Sequence, residues 1–316
     1  MARRDGGRGP VPPLSLLTSS PLLNLSTPLS SPQMPITHVS DTARWVAVYR
    51  AMETERPDAI FRDPYARRLA GEKGEQIVRT LKGGTQAAWS MIVRTAVMDE
   101  IIMRHVNDDP VDCVLNLAAG LDARPFRLSL PSSLRWVDVD YPDMLEYKWE
   151  VLRTERASCT YERAPMDLAD VNARRALFER LGREHRRVFV IAEGLLIYLD
   201  AEDVRSLARD LSAQPAFQWW LIDSASPMLL KWMHKSWGKR AAEGNAPFKF
   251  APEEGTAFFA PLGWTEREFR SSWLESRRLK RTMRGAWLWS FFSLLMSKEK
   301  REQSARMAGV VLLGNE

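Results

Sequence analysis

Between residues 112 and 223 the chain alternates short apolar runs with longer amphipathic stretches. Runs at 112–117, 134–139, 159–164, 187–192 and 217–223 read as strands. Between them, at about 142–155, 170–182 and 201–213, apolar residues recur at helical spacing. Strands separated by helices imply a mostly parallel sheet with right-handed crossovers and helices on both faces, an α/β fold. Met307 to Gly314 reads as a last strand, open to antiparallel placement in the same sheet.

Three helices are expected ahead of the first strand. Asp41 is a candidate N-cap for a helix carrying Ala43, Val46, Ala47 and Met52 at helical spacing. Asp63-Pro64 marks a second start, with Pro at the first helical position. The third runs from about Thr85 to Val106, with Trp89, Ile92, Val93, Ala96 and Val97 on one face. Together they are expected to form a helical cap (39–108) on an α/β core (109–316) with a substrate-region insertion at about 227–296. Residues 1–38 show no periodicity and are broken by Pro10, Pro12, Pro13, Pro21, Pro28, Pro32 and Pro35, which predicts a disordered leader. Within it Met34 is a second candidate start.

Composition narrows the class. Of the 316 residues 45% are hydrophobic and 27% charged, ordinary for a globular chain with a sizeable core. Cys113 and Cys159 are the only cysteines and sit in apolar runs, so they are read as reduced core residues of a cytoplasmic protein. No paired Cys/His spacing suggests zinc, and no metal is expected. Trp287 to Met296 is apolar for about ten residues, against roughly 20 needed to span a bilayer, so no membrane partner is expected. From Glu266 to Arg306 there are eleven Lys/Arg against five Glu. That excess is either a patch for an acidic partner or a solvated helix face. Aromatic residues with nucleic-acid module spacing are missing, so no nucleic-acid partner is expected.

Candidate chemistry concentrates in residues 111–148. The first strand stops at Ala118-Ala119-Gly120, and the next ends in Asp138-Val139-Asp140. A strand, a tight turn and a second strand tipped with acid is how open α/β sheets hold adenosine-bearing cofactors, the acid taking the ribose hydroxyls. A dinucleotide needs several glycines to bring its pyrophosphate against a helix N-terminus. One glycine, Gly120, follows the strand here, which favours S-adenosyl-L-methionine, a cofactor without phosphates, over NAD.

The motifs then become specific. NLAAGLDARPFRL, WVDVDYPDMLEYK and VFVIAEGLLIYLDAEDV, in that order, resemble the leucine carboxyl methyltransferase superfamily. The resemblance is greater to its bacterial branch of S-adenosyl-L-methionine-dependent methyltransferases, which includes polyketide O-methyltransferases. TARWVAVYRAMETERPDAIFRDPYARRLAG, Arg94-Thr95 followed by Asp99, and FFAPLGW at 258–264 fit the same branch, so the resemblance covers about residues 40–314. It implies the class I methyltransferase sheet. It also implies that Asp140 binds the ribose hydroxyls and that Asp167 and Leu168 frame the adenine. By the same resemblance Arg94 pairs with the cofactor carboxylate, and Glu193 faces its amino group and sulfonium. Ala118 and Gly120 form the turn the cofactor crosses, Ala118 standing where many relatives carry glycine. Arg44 is a second candidate for the carboxylate.

The activity this implies is methylation of a small-molecule hydroxyl or carboxylate by direct displacement. Such a transfer depends chiefly on alignment, and a carboxylate acceptor needs no general base. His234 and Tyr198 are conceivable assistants, but no catalytic residue is assigned. Two other readings stay open at this stage: an NAD-dependent oxidoreductase, and a cofactor-binding protein without turnover.

Overall fold

A computed structural model describes residues 40–80, 84–243, 247–283, 285–286 and 296–315, all within one compact unit of residues 34–316. The expected leader and nearly all of the apolar run from Trp287 lie outside the described residues. The chain opens with α1 (Ser40–Thr54), α2 (Ala66–Thr80) and α3 (Gly84–Asp108). It continues with β1 (Cys113–Leu117), the short α4 (Arg124–Arg127), β2 (Arg135–Asp140), α5 (Pro142–Leu152) and β3 (Thr160–Pro165). Next come α6 (Val171–Glu184), β4 (Val188–Ala192), α7 (Ala201–Ser212), β5 (Phe217–Ala225) and α8 (Pro227–Glu243). The last described elements are β6 (Trp264–Ser271), α9 (Ser272–Arg278), α10 (Lys298–Ala305) and β7 (Ala308–Asn315).

These strands make one sheet in the order β3-β2-β1-β4-β5-β7-β6. The first five are parallel, and β7 runs antiparallel between β5 and β6. This is the mostly parallel, class I methyltransferase arrangement expected. β1 and β4 are buried at every position, as continuous apolar runs covered on both faces should be. Side chains alternate cleanly between the two faces. Cys113, Leu115, Leu117, Val190 and Trp220 meet α6 and α7 through Leu177, Phe178, Leu207 and Leu211. Val114, Trp136, Phe189, Ile191 and Leu221 meet α3 through Val97, Met98, Ile101 and Ile102.

Asp63 opens the turn into α2 as expected, Oδ1 accepting from Tyr65 N–H at 3.1 Å and its carbonyl from Ala66 N–H at 3.2 Å, while its buried Oδ2 accepts from Arg50 Nε at 2.8 Å. Other elements depart from the sequence reading. β6 was not foreseen, because its one-sided burial leaves Glu266, Arg267 and Glu268 in a strand that reads as polar. Trp264 anchors it by donating to the Ala208 carbonyl at 3.0 Å. At least four of the eleven basic residues of the C-terminal segment are paired internally: Arg270 and Arg278 share Glu100 and Glu275, Arg281 bonds the buried Glu53, and Arg306 pairs with Glu266. No described helix is long and apolar enough to cross a membrane.

One buried polar cluster holds α5 and β3 to the sheet. Asp138, fully buried on β2, accepts from Lys148 Nζ at 2.6 Å and the Tyr161 hydroxyl at 2.7 Å on one oxygen. Its other oxygen accepts from Trp136 Nε1 at 2.9 Å and Asn116 Nδ2 at 3.0 Å. Breaking a buried pair by removing one partner strands the other charge and costs about 3–5 kcal/mol. Lys148→Met is therefore expected to lower unfolding stability by about that amount, read as a shift of the urea midpoint. A shift worth less than about 1 kcal/mol would refute this account of the pair.

Candidate functional site

The strand order reverses direction between β1 and β4, so the loops leaving their carboxyl ends diverge and open a crevice, the usual ligand site of such sheets. At the β1 end, both Ala118 and Gly120 have a φ of 50°, in the left-handed region. Glycine is relaxed there and alanine is strained. The turn is tied down by its own amides: Ala119 N–H donates to the Val139 carbonyl and Asp122 N–H to the Ala119 carbonyl, both at 3.0 Å. Gly120 N–H donates to one oxygen of Asp140 at 2.7 Å, and Tyr141 N–H to the other at 2.7 Å. Burial pushes the Asp140 carboxyl above its ordinary pKa, although both amides pull it back. Each oxygen keeps acceptor capacity after these single bonds.

At the β4 and β5 ends lies a lattice of buried charge. Arg94 on α3 donates through Nε to Glu193 and through Nη1 to Asp223, both at 2.9 Å. Arg124, 2% exposed, donates to Asp99 at 2.6 Å, Asp122 at 2.7 Å and the other oxygen of Glu193 at 2.8 Å. Arg127 reaches the same Asp99 oxygen at 2.7 Å. Gly194 N–H donates to Asp223 at 2.6 Å. Burial alone would raise the Glu193 pKa, but Arg124 and Arg94 outweigh it and hold the carboxyl below the usual range. Glu193 thus contributes to stability above the ordinary carboxylate pKa, and that contribution is lost as pH falls through its lowered value.

Arg94, Ala118, Gly120, Asp140 and Glu193 all line one cavity of about 1980 Å³. Asp167 and Leu168 are not among its lining residues. Asp167 accepts from Ala169 N–H at 2.9 Å and shares a hydrogen bond with Tyr141, beside Asp140. Leu168 packs on the core, and its carbonyl accepts from Arg174. Arg44 does not enter the cavity lining; its guanidinium lies 4.0 Å from the Tyr147 ring centroid. His234 is exposed, with Nε2 2.6 Å from the Phe248 carbonyl oxygen. Tyr198 lines the cavity, and burial raises its pKa despite Thr42 and Arg94 nearby, so it stays a protonated donor at neutral pH. Trp45, Trp89, Phe248, Phe250 and Trp273 add aromatic surface to the remaining wall, beside aliphatic residues such as Met91, Leu195 and Ile197.

Asp99 was named from sequence only as part of a motif, with no role, and Asp122, Arg124 and Asp223 were not singled out. Asp99, Asp122 and Arg124 stand inside the motifs quoted above, and Asp223 falls near the end of an apolar strand, as Asp140 and Glu193 follow theirs. Among the described residues no cluster of His, Cys, Asp or Glu could hold a metal ion.

Comparison with known proteins gives the family and the fold. A model of the leucine carboxyl methyltransferase family matches residues 43–212. A provisionally named S-adenosyl-L-methionine-dependent methyltransferase of Streptomyces coelicolor is 32% identical over 244 residues, covering 71% of this chain and 82% of the relative. Another, of Frankia alni, is 34% identical over 247 residues, covering 72% and 83%. A solved DUF574 family protein from Streptomyces avermitilis shares the fold with a TM-score of 0.57 at 12% identity, covering 90% of this chain and 99% of that one. A provisionally named methyltransferase from Thermobifida fusca does so at 0.55 and 14% identity, covering 90% and 97%.

A Cβ added at Gly120 would meet the Ala43 Cβ at 3.1 Å, so α1 closes directly over the turn. Gly120→Val adds that contact to a left-handed backbone. It is expected to cost about 1–3 kcal/mol in urea unfolding. An unchanged midpoint would show that α1 is not held against the turn.

Proposed function

The chain belongs to the leucine carboxyl methyltransferase family, and from that premise we propose that it binds S-adenosyl-L-methionine in the β1/β4 crevice and methylates a hydroxyl oxygen of an apolar small molecule. The observation that carries the cofactor reading is the turn after β1. The Ala119, Gly120 and Asp122 amides are all engaged within the protein, so they are not available to a pyrophosphate. Asp140 is held instead with two acceptor oxygens set for a vicinal diol. An NAD-dependent oxidoreductase is correspondingly disfavoured.

The donor set fits the rest of that cofactor. Arg94 Nη2 makes no hydrogen bond among the described residues and is suited to the cofactor carboxylate. Glu193 and Asp223 suit its ammonium and sulfonium. The connected cluster of Asp63, Asp99, Asp122, Glu193 and Asp223 against Arg50, Arg94, Arg124 and Arg127 holds one more acid than base. Such an excess complements a ligand with one net positive charge. Asp167 and Leu168 keep their adenine role as a proposal, since the β2–β3 pairing sets Asp140 opposite Pro165, two residues before Asp167.

Bound there, the cofactor supplies an electrophilic methyl group by direct displacement. The protein's part is alignment and exclusion of water. A hydroxyl acceptor is favoured over a carboxylate, because a second anion would enter beside Glu193 and Asp223, whose arginines are already engaged. The protonated Tyr198 hydroxyl can orient such an acceptor by donating to its oxygen. The acceptor's own proton leaves to solvent as the oxygen–carbon bond forms and the sulfur–carbon bond breaks, and no general base is assigned.

Calorimetry should detect binding of S-adenosylmethionine and S-adenosylhomocysteine and none of NAD. Asp140→Ala should weaken both sulfur compounds roughly ten- to hundredfold, the loss of hydrogen bonds to a charged group. The cofactor reading fails if neither compound binds or if Asp140→Ala binds as tightly as the parent. Methyl-labelled cofactor offered to phenols, alcohols and carboxylic acids should label a hydroxyl compound. Labelling of carboxylates alone would overturn the acceptor assignment, and silence across all classes would favour a binding protein without turnover.

A further inference from the structure

We infer that Arg124 is the positioning residue of the cofactor site: its guanidinium sets the place of Glu193 at the cleft floor and ties that carboxylate to α3. Glu193 is held by two arginines, one on each oxygen, but they are not equivalent. Arg94 has reach and an uncommitted Nη2, and the proposed function gives it to the cofactor carboxylate. As Arg94 turns toward a ligand, its bond to Glu193 is the one exposed to competition.

Arg124 has no such freedom. It opens the four-residue α4 with Pro125 beside it, and its own N–H donates to Asp122 Oδ1 at 2.9 Å. Its guanidinium is spread over Asp99, Asp122 and Glu193. It is therefore the cation that stays with Glu193 when Arg94 is shared. The charged groups acting on Glu193 are Arg94 from α3, Arg124 from α4 and Asp122 from the turn, while Asp223 of β5 and Tyr198 after β4 act on Arg94. Without Arg124, burial and Asp122 act on Glu193 against Arg94 alone. Its carboxyl would then protonate at higher pH, and a neutral Glu193 cannot pair with a cofactor ammonium.

The assignment rests on the cofactor reading, and its test separates the two. S-adenosylhomocysteine binding is titrated between about pH 5.5 and 8 for the parent, Arg124→Gln and Arg124→Lys. The parent should bind with nearly constant affinity. Arg124→Gln should bind at least roughly tenfold more weakly at neutral pH, and its affinity should fall further as pH drops, about tenfold per unit below the new Glu193 pKa. Arg124→Lys, which keeps the charge and loses the fork, should recover the flat profile with part of the affinity. A merely structural role would weaken binding without tilting the profile, so a flat Arg124→Gln curve overturns the inference. Should Arg124→Gln fail to fold, the parent decides: calorimetry in two buffers of different ionisation enthalpy near pH 6 should show no proton uptake or release on binding. Exchange approaching one proton that persists in Asp140→Asn, which removes the other buried carboxyl proposed to touch the ligand, would mean that Glu193 is not held ionised, and would refute the inference. No binding by the parent at any pH defeats the cofactor reading itself.

Discussion

The lattice of guanidinium and carboxylate groups beneath the carboxyl ends of β1, β4 and β5 is what the rest of the site depends on. Taking such groups out of water costs several kcal/mol each unless every one is closely paired. Here each acid is met by an arginine from another element: Arg94 of α3 by β4 and β5, Arg124 of α4 by α3 and β4, Arg50 of α1 by Asp63. Because no element is satisfied by itself, the N-terminal helices and the sheet must dock together for any of these charges to be tolerated. The ion pairs thus fix where α1 and α3 sit, and α1 in turn closes over Gly120. Apolar burial supplies the bulk of the stability and docks α1 and α3 through their own contacts. The charged layer adds the requirement that these elements meet with their ions paired.

That division explains which parts of the molecule were legible in the sequence. The sheet was, since β1, β2, β4 and β5 are apolar runs of strand length, and helices with clear apolar faces separate them. β6 was not, because a strand covered on one side only, with Glu266, Arg267 and Glu268 outward, carries no apolar run to notice. The basic excess of the C-terminal segment was visible as a number, yet its meaning lay in partners such as Glu53 and Glu100, far away in the chain.

The candidate site divides in the same way. Asp140 and Glu193 each follow an apolar strand, a local pattern that sequence displays. Arg94, Arg124 and Asp223 reach across the site through contacts between residues 69 to 129 positions apart, with Asp122 joined to them through the nearby Arg124. Nothing local distinguishes Arg124 from the neighbouring Arg127. Ala118 was visible as a departure from glycine, but its cost becomes clear only with a φ of 50°. The methyl group there is a backbone strain more than an obstruction.

The same reasoning says why cofactor and acceptor are known so unequally. The family match ends at residue 212, at the close of α7. Every residue assigned to the cofactor except Asp223 lies within it. The far wall of the cavity is built largely from later residues: Met228 and Trp232 of α8, Phe248 and Phe250 after it, Trp273 of α9. A fixed cofactor requires fixed charges on strand ends, and the sheet provides them wherever the family fold forms. An acceptor requires only a surface of matching shape, which can be recast by changing apolar side chains without disturbing the paired lattice beneath. The acceptor is therefore to be sought through the aromatic side chains of residues 227–283, which lie beyond residue 212, where the family match ends.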